Sequence, residues 1–399
     1  MSEVRIAEAP AAASGSKQTF RRVVTGTDSN GHSKVVWDGE SEKMHTPSMG
    51  SGRRYTDLWI WNESPAPLNG SNDDANLGYN FPGPPQGGHL RVVRADGPPP
   101  NYDPNNDKDL VAPHPPKVVP PGRMWDRGYN NAFTSPMHKT QSVDYGIVLS
   151  GERVLILDDG EVTMKPGDIV IQVGAWHRWA VRGQGATMMF DMISAGFEDG
   201  EAGLAQGSDK TISPAPDFKL PSGVEPVRRI VTIDREPGLS SIVSDGPAPD
   251  VWLDPARPGF ASTRLWVTDS TPAKIVFETL HLPHRMVPPP NGSVMRYMTL
   301  PPDASWKGKV GEADVRAHYA AMGAPAACCY GEGSGHPYMQ QTRTLDFCAV
   351  IKGEVTLVLD DEEVNLTAGQ IVVQRGTRHA WSNRSKSPAI VAIASHDAR

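Results

Sequence analysis

Residues 137–179 read MHKTQSVDYGIVLSGERVLILDDGEVTMKPGDIVIQVGAWHRW, and residues 339–381 read MQQTRTLDFCAVIKGEVTLVLDDEEVNLTAGQIVVQRGTRHAW. The two stretches align without a gap, and nearly half of their positions are identical. The identical pairs include Gly151 and Gly353, Gln172 and Gln374, His177 and His379, and Trp179 and Trp381. Chance does not give this level of agreement over so long a stretch, so the chain contains an internal duplication.

The duplication extends upstream of both stretches. Residues 21–25 (RRVVT) correspond to residues 228–232 (RRIVT), and the turn at Gly87 corresponds to the one at Gly292. The segment between residues 82 and 121 is rich in proline, which favours extended or turn structure over interior strands. Each repeat therefore consists of a Pro- and Gly-rich arm followed by a compact segment.

We predict two homologous domains, residues 19–205 and 206–399, with compact cores at about 134–195 and 336–397. Residues 1–18 are rich in Ala and Ser and contain no apolar segment, which predicts a disordered leader rather than a signal peptide. Residues 314–322 are the best helix candidate in the second half.

The composition excludes several classes of function. A net charge of −7 argues against a nucleic-acid partner, since such proteins usually carry a basic surface. The sequence contains no apolar run of about 18 residues, so we expect no membrane span. Three cysteines, two of them adjacent, do not form a disulfide framework, which favours a reducing compartment and predicts a cytoplasmic protein.

The compact segments have the pattern of short β-strands. In the first, apolar β-branched runs are separated by Gly151, by Asp159-Gly160 and by Pro166-Gly167-Asp168. An Asp-Gly pair between such runs is a hairpin signal, and Pro-Gly-Asp suits a tight turn. Short, evenly spaced strands of this kind indicate an antiparallel barrel or sandwich.

These motifs resemble the two sequence motifs of the cupin family. The first comprises Gly151-Glu152 and Asp158-Asp159-Gly160-Glu161, and the second is residues 166–179, with a similar second motif at residues 369–383. The resemblance implies an all-β bicupin: two tandem double-stranded β-helix barrels of jelly-roll type, each with a pocket at its mouth. The arms are similar to those of poorly characterised bacterial and fungal cupin proteins. Cupins include dioxygenases, decarboxylases, isomerases and proteins without known catalysis, so fold alone does not fix function.

The resemblance also implies where a metal would bind. Cupin ligands follow a His-x-His pattern, then an acid, then a histidine from the second motif. In the first copy, His138, Asp144 and His177 match this pattern, whereas Thr140 stands at the second histidine position and Asp144 replaces the commoner Glu. Two imidazoles and one carboxylate suit Fe(II), with Mn(II), Ni(II) or Zn(II) as alternatives.

Two other interpretations use the same residues. Without a metal, Asp144 and His177 could serve as general acid and base in an isomerase, dehydratase or cyclase, with Thr140 beside them. Alternatively, Asp144 and the histidines are structural, because Asp144 recurs as Asp346 although His138 becomes Gln340. In that case the protein is a bicupin that binds ligands without catalysis.

Four residues of the first copy are candidates for substrate binding. Trp179 shares a strand face with His177 and would offer a flat wall to a ring, although core packing is the alternative. Arg91, delivered by the arm, could hold a substrate carboxylate. Tyr145 and Gln172 lie beside the other candidates.

The second copy has a less complete set of candidates. Its predicted pocket residues are Gln340, Thr342, Asp346, His379, Trp381 and Arg296, and His336 is the only nearby replacement imidazole. We therefore expect the second barrel to be a degenerate copy. The whole chain is predicted to be an enzyme of dioxygenase or Lewis-acid type with its active site in the first barrel. Its expected substrate is a carboxylate- or enol-bearing aromatic or secondary metabolite, and a homodimer through barrel or arm contacts is compatible with this organisation.

Overall fold

A computed structural model of the protein describes residues 20–41, 44–45, 52–68, 73–78, 81–120, 122–197, 219–331 and 334–399. The predicted leader (residues 1–18) and the predicted boundary between residues 205 and 206 lie outside these residues. Among the described residues, no helix is both long enough and apolar enough to cross a membrane.

The described part of the chain is built mainly from β-strands, which confirms the predicted all-β class. The strands of the first half are β1 (Arg21–Thr27), β2 (Ser33–Glu40), β3 (Met44–His45), β4 (Arg53–Trp61), β5 (Gly88–Asp96), β6 (Lys117–Val119), β7 (Met124–Asp126), β8 (His138–Thr140), β9 (Ser142–Ile156), β10 (Glu161–Met164), β11 (Ile169–Val173) and β12 (Arg178–Gly196). The strands of the second half are β13 (Arg228–Glu236), β14 (Leu239–Pro247), β15 (Asp250–Leu253), β16 (Ala261–Thr268), β17 (Ala273–Lys274), β18 (Ser293–Leu300), β19 (Thr344–Lys352), β20 (Glu354–Val358), β21 (Glu363–Thr367), β22 (Ile371–Arg375), β23 (Ala380–Ser382) and β24 (Ala389–Asp397).

Within the described ranges, helices are few and short. The α-helices are α1 (Asp303–Trp306) and α2 (Glu312–Ala321), and short 3-10 helices are formed by Asp74–Asn76, Pro104–Asn106 and Pro325–Ala327. Helix α2 covers most of the predicted helical stretch 314–322 but begins two residues earlier. An Asp314 carboxylate that accepts a hydrogen bond from the Gly311 backbone N–H fixes this start.

The strands form two barrels, in which most neighbouring strands pair antiparallel. In the first, the central strands run in the order β13, β11, β9, β12, β5, β4, and β10 pairs with β9. In the second, the order is β15, β16, β18, β24, β19, β22, β1, with a smaller sheet of β21, β20 and β23. The predicted pair of tandem barrels is confirmed.

The two halves exchange their first hairpins. Strand β1 pairs in parallel with β22 of the second barrel, where Arg22 lies opposite Ile371. Strand β13 pairs in parallel with β11 of the first barrel, where Arg229 lies opposite Ile169. The predicted domains follow the sequence repeat, whereas each sheet is completed by a hairpin from the other half.

The halves also share one hydrophobic core. Trp59 and Trp266, from matching positions of the two arms, are both almost fully buried in it. Trp61 packs against Phe347, with ring centroids 5.3 Å apart. Burial of such large aromatic surfaces is a major stabilising contribution, so the aromatic residues of the arms stabilise the contact between the two barrels.

Candidate active site

The first barrel encloses a cavity of about 60 Å³. Its lining combines basic, acidic, neutral polar, aliphatic and aromatic side chains. They are Arg53, Tyr55, Phe81, Arg91, Val93, Ser135, His138, Asp144, Arg153, Gln172, His177, Trp179, Phe190 and Met192. The structure therefore brings most of the predicted first-barrel residues together around one space.

His138 and His177 both line this cavity and lie close to each other. They lie on neighbouring segments whose backbones exchange two hydrogen bonds of 2.9 Å, and their ring centroids are 4.3 Å apart. Each Nδ1 lies 2.8 Å from a backbone carbonyl two residues earlier, that of Pro136 or Ala175. Because a carbonyl can only accept, each Nδ1 carries the proton and each Nε2 keeps a free electron pair.

Both imidazoles are neutral in this environment. Burial lowers the pKa of His138, and burial together with the neighbouring His138 ring lowers the pKa of His177 well below its ordinary value. Two neutral rings with anchored Nδ1 atoms can act as metal ligands or as proton acceptors through Nε2.

Asp144 lies on β9 and lines the same cavity as the two histidines, and only 2% of it is exposed. Burial raises the pKa of this carboxyl to about 7, although a hydrogen bond with Ser142 opposes the shift. Its Oδ1 has no hydrogen-bond partner among the described residues. The group can therefore hold or release a proton near neutral pH.

The three predicted metal ligands line the same cavity, but they are not clustered as a set of three. Within the described residues, no group of three or more His, Cys, Asp and Glu side chains is arranged to hold a metal ion. The two imidazoles fit a metal by their chemistry, since neutral Nε2 atoms with hydrogen-bonded Nδ1 atoms are typical of ligating histidines. The chain thus offers two ligands here, with Asp144 nearby.

The predicted carboxylate clamp, Arg91, already has a partner. Its Nε donates to Asp57 at 2.7 Å, and both side chains are buried. Sequence reasoning missed Arg153, which lines the same cavity, is 3% exposed and lies 5.4 Å from the Trp179 ring centroid. The sequence did indicate an inward position for Arg153, because alternate residues of a strand share a face and Leu155 and Leu157 belong to the core.

The remaining substrate-binding candidates are divided between the cavity and the core. Gln172 and Trp179 line the cavity, and Trp179 makes an edge contact with Phe190 at 5.7 Å. Tyr145 lies instead in the core between the halves, where its hydroxyl bonds Ser293 at 2.8 Å. It is next to Asp144 in sequence, so the alternation of a strand turns it to the opposite face.

Thr140, the candidate at the missing histidine position, is not among the cavity-lining residues. Its hydroxyl exchanges a 2.8 Å hydrogen bond with Ser142, and both groups are buried. In this arrangement Thr140 contributes to the chain of hydrogen bonds behind Asp144.

The second barrel has a smaller cavity, of about 30 Å³. Gln340, Arg296 and Trp381 line it, whereas Thr342, Asp346 and His379 do not. Gln340 Nε2 and His379 Nε2 lie 3.1 Å apart, so the imidazole that corresponds to His177 is engaged by a side chain.

Two other candidates of the second barrel contact neighbouring side chains, whereas Asp346 Oδ1 has no hydrogen-bond partner among the described residues. The Thr342 hydroxyl bonds that of Thr344 at 2.7 Å. His336 lies 3.7 Å from Asp303 and does not line the cavity. His379 repeats part of the His177 geometry, since its Nδ1 lies 2.9 Å from the Thr377 carbonyl, but its Nε2 faces the Gln340 amide instead of a second imidazole.

Helix α2 closes the second cavity, which the sequence did not indicate. Its His318 and Tyr319 line the cavity together with Arg257, whose guanidinium lies 3.4 Å from the Tyr338 ring centroid. Arg257 and His318 both contact Asp254, at 2.8 and 3.0 Å. A packed cluster thus occupies the mouth of this barrel.

Sequence comparison finds relatives among fungal biosynthetic proteins. The chain is 45% identical over 64 residues to the phomopsin biosynthesis cluster protein C' of Diaporthe leptostromiformis, which covers 15% of this chain and 34% of that protein. It is 52% identical over 46 residues to the cupin-domain-containing oxidoreductase virC of Hypocrea virens, covering 11% of this chain and 24% of that protein. The chain spans about a third or less of the length of these relatives.

Structure comparison finds a putative glyoxylate-induced protein from Pseudomonas aeruginosa, with 10% identity and a TM-score of 0.40 over 90% of this chain and 85% of that chain. It also finds a quercetin 2,3-dioxygenase from Acinetobacter baumannii, with 12% identity and a TM-score of 0.34 over 89% and 84% of the two chains.

The family comparison coincides with the two barrels. The Cupin domain family matches residues 130–193, which contain His138, Asp144 and His177, and residues 328–394, which contain Gln340 and His379. Each half of the chain carries a cupin domain, and the protein is of the bicupin type.

Proposed function

We propose that the first barrel is the active site of a bicupin oxidoreductase that acts on a small organic molecule of secondary metabolism. The observation that carries the proposal is the pair formed by His138 and His177, with each Nδ1 bonded to a carbonyl and each Nε2 left unprotonated in a cavity. The relatives named as oxidoreductases and as members of biosynthesis clusters support this class.

In this proposal His138 and His177 would hold a divalent metal, with Fe(II) favoured over Mn(II), Ni(II) or Zn(II). A bound metal would supply Lewis-acid or redox chemistry. Trp179 and Phe190 would orient a flat substrate and exclude water, since their rings form an apolar wall of the cavity. Asp144 would hold or accept a proton at its carboxyl group, whose pKa of about 7 suits that task.

A second candidate function uses the chain without a metal. The raised pKa of Asp144 favours proton transfer between this carboxyl and a substrate, as in an isomerase, dehydratase or cyclase. His177, held neutral by burial, would be the complementary proton acceptor.

The metal content of untagged, full-length protein separates these functions. After anaerobic reconstitution with Fe(II), we expect about one equivalent of metal per chain, and we expect His138→Ala and His177→Ala each to lose it, because ligand removal weakens a two-imidazole site directly. His379→Ala removes the matching imidazole of the second barrel and should leave the metal content unchanged.

The outcome of this measurement decides the reaction class. Equal metal loss in His379→Ala would place the metal elsewhere. A wild-type chain that binds none would overturn the metal-dependent proposal and leave proton transfer by Asp144, or ligand binding without catalysis, as the function of the barrel.

A further inference from the structure

The cavity of the first barrel contains buried polar atoms without partners. Among the described residues, Nε and Nη1 of Arg153 and both amide atoms of Gln172 make no hydrogen bond. Arg153 is 3% exposed and Gln172 is 1% exposed, and both line the cavity. Buried polar groups of native proteins are almost always satisfied, so a cluster of unsatisfied atoms around one space indicates that something else supplies the partner.

The second barrel provides an internal comparison for Gln172. At the matching position, the Oε1 of Gln374 accepts hydrogen bonds from Thr25 (2.8 Å) and from Thr377, while its Nε2 makes no hydrogen bond among the described residues. These two hydroxyls hold the glutamine as a structural residue.

The first barrel lacks this arrangement. Ala175 occupies the position of Thr377, and Thr232, which corresponds to Thr25, has a hydroxyl without a partner. The Oε1 of this glutamine is therefore held by two hydroxyls in the second barrel and has no partner in the first, whereas its Nε2 makes no hydrogen bond in either, among the described residues. Arg153 shows the same asymmetry, since Val355 stands at its position in the second copy.

The charge of the cavity indicates the kind of group that it would accept. None of the ion pairs in the described part of the chain involves Arg153, although burial lowers its pKa only to about 10 and leaves it charged at neutral pH. Arg53 and Arg91 also line this cavity, and Asp144 brings its carboxyl group to the lining. A planar guanidinium prefers a planar oxyanion such as a carboxylate, and an amide can donate a further hydrogen bond to it.

We propose that Arg153 and Gln172 form a subsite that binds the carboxylate of a small organic acid in the first barrel. This inference rests on the proposed function of that barrel and names the chemical class of its substrate. A cavity of about 60 Å³ accommodates the carboxylate group, and the apolar body of the acid lies along Phe81, Phe190 and Met192. Arg153 thereby takes the role that the sequence assigned to Arg91, whose guanidinium is paired with Asp57.

The test compares acetate with its uncharged counterpart acetamide, by ligand-observed NMR titration of the full-length protein in the presence of a chelator. The chelator ensures that acetate does not bind through a metal. We expect acetate to bind at least about tenfold more tightly than acetamide, since a charge-assisted hydrogen bond contributes more than a neutral one. Arg153→Val, which installs the residue of the second barrel, should weaken acetate binding by about tenfold or more.

Two further variants make the result specific. Arg182→Val removes an exposed arginine that is paired with Glu161 and should leave acetate binding unchanged. Gln172→Met removes the amide donor with little change in side-chain volume, and it should weaken acetate binding several-fold while Arg153 stays in place. This variant tests the subsite even if Arg153→Val fails to fold.

The inference is overturned if acetamide binds as tightly as acetate, or if Gln172→Met and a folded Arg153→Val both bind acetate like the wild type. Arg153-dependent acetate binding in a chain that binds no metal would keep the subsite and refute the metal-dependent function. If metal binds through His138 and His177 but acetate binding does not depend on Arg153, the metal-dependent function is kept and the subsite is refuted.

Discussion

His318 shows how one residue couples the stability of the second barrel to pH. Burial is the main cause that lowers its pKa to about 4, and the Arg257 guanidinium adds to it against the attraction of Asp254. The unfolded chain binds this proton at about pH 6.5, whereas the folded chain binds it only near pH 4. The free energy of unfolding therefore falls as the pH decreases through this window.

Between pH 7 and pH 4.5, we expect the free energy of unfolding of the wild type to fall by about 2 kcal/mol more than that of His318→Gln. Urea unfolding at several pH values measures this difference. His32→Gln is the control. His32 is 55% exposed and its pKa is raised by Asp361, so its contribution should be small and of opposite sign. Identical slopes in His318→Gln and the wild type would show that the folded protein does not exclude this proton.

At the same scale, the sequence predicted part of the candidate site. His138, Asp144, Gln172, His177 and Trp179 line one cavity because a strand alternates its faces and the repeat marks the matching positions.

Other residues of the site could not be read as directly. Arg153 follows Gly151-Glu152, where an arginine is normally interpreted as exposed, and only its phase with Leu155 places it inside. Arg53 comes from the distant arm, and no local pattern connects it to the barrel.

At the scale of elements, two arginines at matching strand positions bond each exchanged hairpin to the arm of its own half. Arg229 of β13 bonds Glu278 at 2.8 Å and the Leu265 carbonyl, and the Glu278 side chain is only 5% exposed. Arg22 of β1 makes the corresponding pair with Asp73, whose side chain is 29% exposed.

Arg229→Met should lower the free energy of unfolding by about 3 to 5 kcal/mol, because it leaves a buried carboxylate without its cation. Arg22→Met should cost less, since water can reach Asp73. Urea denaturation of both variants measures the difference, and equal losses would contradict an explanation based on desolvation.

The elements themselves were only partly predictable. The turn signals predicted short strands, whereas β9 and β12 contain 15 and 19 residues. Gly151 adopts a φ of +71°, which lets β9 bend and continue where a turn was expected. The pairing of β1 with β22 joins residues nearly a whole chain length apart, so no local pattern predicts it.

At the scale of the molecule, the exchanged hairpins make the two halves dependent on each other. Ile230, Val231 and Ile233 of β13 are buried against the first barrel, although they belong to the second repeat. Across the shared core, the buried Asp191 and His396 side chains lie 3.0 Å apart. A half on its own would expose the edge of β11 or β22 together with this apolar surface.

We therefore expect residues 1–200 and 201–399, expressed separately, to aggregate or to lose their β-sheet content, and the two halves expressed together to assemble as one complex. Size-exclusion chromatography and far-UV circular dichroism, with the intact chain as reference, measure both properties. Two monomeric halves with native β-sheet content would mean that each barrel folds without the hairpin of the other. The hairpin exchange would then be a late docking step. If the halves instead assemble only on co-expression, the exchange is required to form the cavity that Gln172 of β11 lines.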